Sequence, residues 1–343
     1  MKALVTGGSG YFGSLLVRKL LEHGYQCGVL DLNDAEDRPP EVAFYRADIR
    51  DERAVLEACA GVDVVHHNVA QVPLAKDHQL FRSVNIGGME NLLRASVRQK
   101  VKKVVYTSSS AVFGVPVALP VTENTPPKPA EAYGEAKAAA EQLCRTYTEN
   151  GLDVSIVRPR TILGHGRLGI FQILFEWVAE GRRIPMLGQG DNIYQFVHAD
   201  DLAEVCLRAG ERSGSTIYNC GAERYGSMRQ ILQALCDHAG TGAKIRSIPM
   251  GLAVFGMKVT SRLGLSPLSD YHWLMYGRSM YFDAAKVKDE LQYTPRYSNE
   301  EMICESYDWY RQNRDTILFA GHGVSHHRSA VKQGILNVVK RFL

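Results

Sequence analysis

The sequence predicts an α/β fold built on a doubly wound parallel sheet. Short aliphatic and β-branched runs alternate with longer amphipathic runs through the first 160 residues. Such alternation is typical of a parallel sheet that is covered by helices on both faces. A glycine-rich turn also joins the first predicted strand to the first predicted helix. The predicted buried strands are residues 2–6, 26–32, 62–67, 102–108 and 153–159.

Helical spacing of apolar residues marks the segments between these strands, at 11–24, 52–59, 77–100 and 132–151. Gly24 and Gly151 are suited to end two of these helices, because glycine adopts the backbone conformation that follows a last helical turn. The pattern loosens after residue 160, although 194–210 and 227–240 still contain helical spacing. We therefore expect a smaller second lobe after the strand-rich part.

Composition restricts the function classes. The chain has 343 residues, 45% hydrophobic and 22% charged, and a net charge of +3 that is too small to indicate nucleic acid as a partner. Seven scattered cysteines without a C-x-x-C pair favour a reducing compartment over a disulfide framework or a zinc site. The first residues run directly into a strand, with no segment typical of a signal peptide, and the apolar runs are too short to cross a bilayer. We expect a cytoplasmic protein.

The turn "VTGGSGYFGS" places Gly7, Gly10 and Gly13 between a strand and a helix, with Tyr11 and Phe12 inside the pattern. Glycines at such a turn let backbone N–H groups and the helix N-terminus approach a pyrophosphate. The turn therefore predicts a Rossmann-type dinucleotide site.

Two acidic positions follow the second and third strands. Asp31 ends the second strand, where a carboxylate accepts hydrogen bonds from the adenosine ribose and repels a 2′-phosphate. This position predicts NAD over NADP, with a solvated loop aspartate as the alternative. Asp48 and Ile49, in "RADIRD", are placed to reach the adenine, although a purely structural role fits them nearly as well.

Tyr133 and Lys137 lie four residues apart in the alanine-rich run "EAYGEAKAAAE". One helical turn separates them, so their side chains share a face. The pair alone does not distinguish a catalytic site from an ordinary surface helix.

Together these motifs resemble the extended short-chain dehydrogenases/reductases, of the NAD-dependent epimerase/dehydratase family. The resemblance covers residues 2 to about 312. Besides the glycines, the two aspartates and the Tyr133/Lys137 pair, it rests on "HNVA", "VNIGGMENLL" with Asn85 and Asn91, the serine strand "VVYTSSSAVFG" and "VRP" at 157–159.

The resemblance implies roles for individual residues. Tyr133 is implied as the general acid/base, assisted by Lys137, since a free phenol with a pKa of about 10 is a poor base at neutral pH. Lys137 would also hold the nicotinamide ribose, and Ser109, with Ser110 as the fallback, would hydrogen-bond the substrate oxygen. Asn85 is expected to brace the active-site helix. Further implied cofactor contacts are Asn68, Ala70 and Pro159.

The chain is predicted to have three parts: an NAD(P)-binding Rossmann core at 1–160, a small C-terminal α/β substrate lobe at 161–314 that returns to the core in places, and a basic amphipathic tail at 315–343. A small-molecule substrate and a homodimer are expected.

The substrate is less clearly indicated. Nucleotide-linked sugars are the most frequent substrates of the family. This chain departs from the sugar pattern by having Thr161 in place of an Asn and Tyr194 in place of an Arg. The substrate-binding candidates are Ser110, Thr161, Arg167 and Tyr194. Arg160, Arg167, Arg182 and Arg183 are arginines that could hold a diphosphate.

A lipid alcohol is the alternative substrate. The apolar stretch 247–265 is similar to a region of 3β-hydroxysteroid-dehydrogenase-like proteins, and the tail helix 331–343 carries apolar residues on one face and basic residues elsewhere. That tail suits a peripheral membrane contact, a partner groove or its own domain.

Three further expectations follow. A dehydratase would carry an acid pair after the catalytic Ser/Thr, whereas Ser110 and Ala111 follow Ser109, so dehydration is disfavoured. A non-catalytic NAD-binding scaffold would have lost the Ser–Tyr–Lys set. No metal is predicted, because His66 and His67 alternate faces of a strand and Asp200 or Asp201 is expected to cap a helix.

Overall fold

Seven strands form one parallel sheet. The computed structural model describes residues 1–71, 78–167, 169–251, 254–255 and 277–319. The strands are β1 (Lys2–Thr6), β2 (Gln26–Asp31), β3 (Ala43–Arg46), β4 (Val64–His67), β5 (Lys103–Thr107), β6 (Val154–Pro159) and β11 (Thr216–Cys220). All five strands predicted from the sequence are present, with ends that differ by at most two residues.

The order of the strands is β3–β2–β1–β4–β5–β6–β11. β1 pairs with β2 on one side and with β4 on the other, so the direction of winding reverses between β1 and β4. Ligands of open parallel sheets bind beyond the carboxyl ends of the strands at such a reversal. The predicted doubly wound parallel sheet is confirmed, and its order places the ligand cleft beside the turn after β1.

Helices pack against both faces of this sheet. One apolar layer contains α1 (Tyr11–Glu22) and α7 (Ala199–Glu211), and the other contains α2 (Glu52–Ala58), α4 (Gly88–Arg98) and α5 (Ala132–Glu149). Gly24 and Gly151 follow α1 and α5 with φ values of +78° and +94°, as their predicted role requires.

The helix predicted at 77–100 is divided. α3 (His78–Arg82) and α4 flank a π-helical segment, Ser83–Gly87. Such segments are frequent at functional sites, and this one contains Asn85.

The rest of the described chain forms a second lobe. It comprises the strands β7 (Thr161–Leu163), β8 (Arg183–Leu187), β9 (Ile193–Tyr194), β10 (Phe196–His198), β12 (Gly226–Ser227) and β13 (Lys244–Ile248), and the helices α6 (Ile170–Ala179), α8 (Met228–Ala239), α9 (Ala285–Leu291) and α10 (Asn299–Phe319). Three two-stranded sheets arise from the pairs β7–β10, β9–β12 and β8–β13. Phe175, Trp177 and Tyr310 belong to a separate apolar core in this lobe. In contrast, α7 and β11 pack with the first sheet, and α9 packs against these two elements.

The last helix extends beyond the expected end of this lobe. α10 continues to Phe319, so the domain boundary predicted at residue 314 falls inside it. Arg314, near that point, forms an ion pair with Glu176 of α6 at 2.7 Å. The tail segment 331–343 and most of the apolar stretch 247–265 lie outside the described residues. No described helix is long and apolar enough to span a membrane.

The start of α7 corrects one expectation. His198, not Asp200 or Asp201, caps this helix, since its Nδ1 accepts the backbone N–H of Asp200 at 3.1 Å. The carboxylate of Asp201 instead accepts the hydroxyl of Tyr293 and the backbone N–H of Arg296.

A buried ion pair joins α5 to the sheet. Arg158 of β6 donates from Nε and Nη2 to the two carboxylate oxygens of Glu141, at 2.8 and 2.6 Å. Their side chains are 1% and 0% exposed. Ser108 Oγ donates to the same carboxylate at 2.6 Å, so the end of β5 is attached as well.

Removing Arg158 should therefore destabilise the protein. In Arg158→Leu the Glu141 carboxylate stays buried without its main partner, and we expect a loss of about 3–5 kcal/mol in the free energy of unfolding, measured by urea denaturation. Arg53→Ala is the control, because its pair with Glu57 is 89% and 65% exposed and should matter little. Equal stability of the two variants would show that the buried pair is dispensable.

Candidate active site

A cleft of about 720 Å³ lies beyond the carboxyl ends of the central strands. Seventeen of the eighteen residues predicted as catalytic, cofactor-binding or substrate-binding line it: Gly7, Gly10, Tyr11, Phe12, Gly13, Asp31, Asp48, Ile49, Asn68, Ala70, Ser109, Ser110, Tyr133, Lys137, Pro159, Thr161 and Arg167. Tyr194 is the exception. The fold thus brings together side chains from the turn after β1 and from the ends of β2, β4, β5 and β6.

The glycine turn leaves the N-terminus of α1 open to this cleft. Gly7 has a φ of +72°, and a Cβ on Gly13 would lie 2.1 Å from the carbonyl oxygen of Gly7, so glycine is required at both positions. Gly10 caps α1 without a side chain, and the first turn carries no acidic residue. The backbone N–H groups of the first helical turn and the helix dipole there favour an anion such as a pyrophosphate.

Asp31 faces the cleft at the end of β2. Its two carboxylate oxygens accept the backbone N–H groups of Ser9 and Leu32, at 3.1 and 2.7 Å. Burial raises the pKa of Asp31, and these hydrogen bonds counteract the rise. Ser9 was not singled out from the sequence, yet its buried Oγ lines the cleft and has no partner among the described residues.

Asp48 is already engaged by its own loop. Arg50 donates to its two carboxylate oxygens at 2.9 and 2.6 Å, and this hydrogen bonding lowers the pKa of Asp48. Asn91 donates to the carbonyl oxygens of Ile49 and Arg50, at 3.3 and 3.0 Å. The arrangement gives the Asp48 carboxylate a structural partner, while Ile49 contributes an apolar wall.

Asn68 and Asn85 shape the loop after β4. Asn68 Oδ1 accepts from Thr107 Oγ1 at 2.6 Å, whereas its buried Nδ2 has no partner among the described residues. Asn85 Oδ1 accepts the backbone N–H of Gln71 at 2.8 Å, and its Nδ2 donates to the carbonyl of Gln71 at 3.4 Å. The amide therefore holds the loop after β4, and the bracing of the active-site helix expected of Asn85 stays a prediction.

Glu131 fixes the start of α5 and with it the position of Tyr133. Its carboxylate accepts the backbone N–H groups of Tyr133 and Gly134, at 2.8 and 2.7 Å. As predicted, Tyr133 and Lys137 share a face, with Lys137 Nζ 5.9 Å from the centroid of the Tyr133 ring. The same ammonium donates to the carbonyl of Thr107 at 2.8 Å.

Burial governs the charge of Lys137. The side chain is 2% exposed, and desolvation lowers its pKa to about 7. Glu141, one turn further along α5, acts in the opposite direction. Lys137 therefore changes between its charged and its neutral form near neutral pH.

The three serines of the strand end have different surroundings. Ser108 is buried and bonded to Glu141, and Ser110 Oγ accepts from Arg160 Nη1 at 2.9 Å. Ser109 is the half-buried one, and its Oγ accepts the backbone N–H of Ala111 at 3.1 Å. Its hydroxyl proton can be donated into the cleft, which fits the role predicted for Ser109.

The substrate-binding candidates are only partly brought together. Thr161 and Arg167 line the cleft, but Tyr194 is fully buried behind it, and its hydroxyl lies 2.9 Å from Thr161 Oγ1. Tyr194 contacts the lining of the cleft through Thr161 and through Arg160, whose Cζ lies 4.8 Å from the ring centroid, while the ring packs edge-on against Phe196 in the second core. Arg182 and Arg183 are exposed and do not line it.

Potential metal ligands meet at one place that the sequence did not indicate. His198 Nε2 lies 2.8 Å from Glu305 Oε2, and His165 Nδ1 lies 3.6 Å from Glu305 Oε1. The three residues lie far apart in the chain, so their spacing in the sequence could not predict this cluster. Their mutual contacts link the segment after β7 to α10. His66 and His67 are buried in the sheet, and burial lowers the pKa of each to about 3.

Sequence comparison matches residues 3–221 to the NAD dependent epimerase/dehydratase family. The chain belongs to this family. It is 53% identical over 335 residues to an uncharacterized protein of Sinorhizobium fredii, covering 97% of this chain and 84% of that protein. It is 28% identical over 334 residues to a UDP-glucose 4-epimerase of Mycolicibacterium smegmatis, covering 91% and 99%.

The fold is likewise similar to a solved structure, the Thermus thermophilus UDP-glucose 4-epimerase in complex with NAD. The TM-score is 0.74 at 27% identity, and the comparison covers 91% of this chain and 99% of that one. The predicted extended short-chain dehydrogenase/reductase family, the enzyme class and the cofactor NAD are thereby confirmed.

The residues of the cleft fit this cofactor. The open N-terminus of α1 suits the pyrophosphate, and the Asp31 carboxylate lies where ribose hydroxyls can donate to it. The unpartnered Asn68 Nδ2 and Ser9 Oγ are polar atoms that a bound dinucleotide can satisfy. The roles of the individual residues stay predictions.

Asp31 should set the preference for NAD. Wild type should bind NAD more tightly than NADP, because the carboxylate accepts from the ribose and repels a 2′-phosphate. Asp31→Ala should weaken NAD binding about tenfold or more, since hydrogen bonds to charged groups contribute roughly 1.5–3 kcal/mol, and should reduce the preference. Calorimetry with both cofactors measures this. Asp48→Ala, at the other acidic position, should change the ratio less; a wild type that prefers NADP would refute the assignment.

Lys137 should make stability depend on pH in the cofactor-free protein. Its folded pKa lies near 7, below the value of about 10.4 in an unfolded chain. Between these values the unfolded state binds the extra proton, so the folded state gains stability as pH rises. The free energy of unfolding of wild type relative to Lys137→Met should therefore increase from pH 7 to about 9.5, by at most ~1.4 kcal/mol per pH unit. Parallel urea denaturation profiles of the two proteins would contradict the lowered pKa.

Proposed function

We propose that this enzyme removes a hydride and a proton from a secondary alcohol of a nucleotide-linked sugar, or returns them to the ketone. One observation carries the proposal. The Ser109, Tyr133 and Lys137 side chains line the same cleft as the glycine turn and Asp31, so the groups suited to proton transfer lie next to those suited to a dinucleotide.

Tyr133 acts as the proton acceptor when the alcohol is oxidised and as the donor when the ketone is reduced. Lys137 stabilises the ionised phenol, because its buried ammonium lies 5.9 Å from the centroid of the Tyr133 ring. Ser109 holds the substrate oxygen by donating its free hydroxyl proton. When bound, NAD accepts or returns the hydride, so the loss of H⁻ and H⁺ from the alcohol is balanced.

The sugar class is supported by the relatives and by the cleft. Two proteins of similar length are named UDP-glucose 4-epimerases. Arg167 lines the cleft, with its Nε donating to the carbonyl of Ile162 at 3.2 Å, and its positive charge suits a diphosphate. The relatives and this positive charge favour the sugar as the substrate class. The segments that suggested a lipid alcohol lie largely outside the described residues.

Net oxidation, reduction and epimerisation share these first steps. Dehydration needs an acid pair after the catalytic serine, and Ser110 and Ala111 occupy those positions. The proposed activity is therefore that of an oxidoreductase or epimerase. The homodimer, the cytoplasmic location and the peripheral membrane contact stay predictions.

Tyr133→Phe should abolish turnover and leave NAD affinity nearly unchanged, because it removes only the phenolic oxygen. General acid/base groups contribute typically ~10²–10⁴-fold, so we expect at least a hundredfold loss in a single-turnover measurement of NADH formation with UDP-glucose. Tyr147→Phe, the same change on the same helix outside the cleft, is the matched control. A Tyr133→Phe enzyme with more than a tenth of wild-type turnover would exclude Tyr133 as the acid/base.

A further inference from the structure

Arg160 is a charged side chain buried in the wall of the cleft. It follows β6 directly, is 1% exposed and lines the cleft between Pro159 and Thr161. Its backbone N–H donates to the carbonyl of Cys220 at 2.8 Å, so pairing with the end of β11 holds it in place. Because a guanidinium is strongly hydrated in solution, a buried one requires compensation by hydrogen bonds and opposite charge.

The described residues compensate this charge only in part. Nη1 donates to Ser110 Oγ at 2.9 Å, and the ring centroids of Tyr194 and Phe282 lie 4.8 and 5.8 Å from Cζ. Nε and Nη2 are buried and have no hydrogen-bond partner among those residues. Aromatic faces attract the cation but do not accept the in-plane N–H groups of Nε and Nη2 in the way that oxygens do.

Arg158, two residues earlier in the chain, shows which group binds the edge of a guanidinium that carries Nε and Nη2. It uses the same two nitrogens, Nε and Nη2, for the two oxygens of the Glu141 carboxylate. This edge of a guanidinium matches a carboxylate in two parallel hydrogen bonds. Arg158 therefore has its carboxylate from within the chain, whereas the same edge of Arg160, a residue of the cleft lining, has no partner among the described residues.

We propose that Arg160, together with Ser110, binds a carboxylate of the substrate, so that the substrate is an acidic sugar of the hexuronic acid type. This inference rests on the proposed function and deepens it. Ser110 follows Ser109 in the chain, so the carboxylate lies at the reacting end of the substrate. The diphosphate of a nucleotide sugar is the other source of an anion, and the experiment separates the two.

Two ligands differ in the relevant group alone. UDP-glucose and UDP-glucuronic acid share the nucleotide and the diphosphate, and differ by CH₂OH against carboxylate at C5 of the sugar. Calorimetric titration of the full-length protein saturated with NAD gives the dissociation constant of each, and it requires no turnover.

Wild type should bind UDP-glucuronic acid about tenfold to hundredfold more tightly than UDP-glucose, since hydrogen bonds to charged groups have that strength. Arg160→Gln should abolish the preference by weakening the binding of UDP-glucuronic acid far more than that of UDP-glucose. Arg160→Lys keeps the charge but lacks the fork, so it should retain a part of the preference. Arg182→Gln, at an exposed position outside the cleft, is the control and should behave as wild type.

Each other outcome overturns the proposal in a distinguishable way. Equal weakening of both ligands in Arg160→Gln would assign the anion to the diphosphate. A wild type without acid preference, or a preference that survives in Arg160→Gln, would leave Arg160 as a charge compensated by the two rings. Binding of neither sugar by an NAD-binding wild type would overturn the proposed sugar class as well, whereas binding of UDP-glucose alone would overturn only the acidic substrate. If Arg160→Gln does not fold, the wild-type preference and Arg160→Lys decide.

Discussion

The buried pair of Arg158 and Glu141 is the interaction on which the geometry of the active site depends. Glu141 lies one turn beyond Lys137 and two turns beyond Tyr133, so all three occupy one face of α5. Arg158 comes from β6, and Ser108, which shares the carboxylate, precedes Ser109 at the end of β5. One carboxylate therefore sets α5 against two strands at the place where the proton-transfer residues meet.

Arg158 and Arg160, at the end of β6, differ in role: the first is structural, and the second is the proposed binding residue. Arg158 binds Glu141 of α5 and is neutralised within the chain. Arg160 belongs to the lining of the cleft, and its Nε and Nη2 have no hydrogen-bond partner among the described residues. A stable fold tolerates the second charge because Ser110 and two aromatic faces offset part of its burial.

Desolvation sets the protonation of several groups around the sheet. It lowers the pKa of Lys137 to about 7, raises that of Asp31, and lowers those of His66 and His67 to about 3. Burial thus keeps His66 and His67 of β4 neutral at pH 7 and brings the pKa of Lys137 of α5 close to neutral pH. A lysine in this condition responds strongly to the charge of a neighbouring phenol, which suits the role proposed for it beside Tyr133.

The sequence by itself determined the sheet, its main helices and most of the cleft, because these depend on local patterns. Short apolar runs specify the buried strands, and helical spacing of apolar residues specifies the helices. Gly7 and Gly13 are required by a turn that excludes a Cβ. Tyr133 and Lys137 share a face through helical spacing alone. Only the tertiary structure decided where the polar side chains find partners. It turned Asn85 to the loop after β4, placed Tyr194 behind Thr161, used His198 as a helix cap and left Arg160 buried without a carboxylate. Such contacts join residues far apart in the chain, and burial decides whether a charge is solvated or must be paired; neither is encoded in the spacing of neighbouring residues.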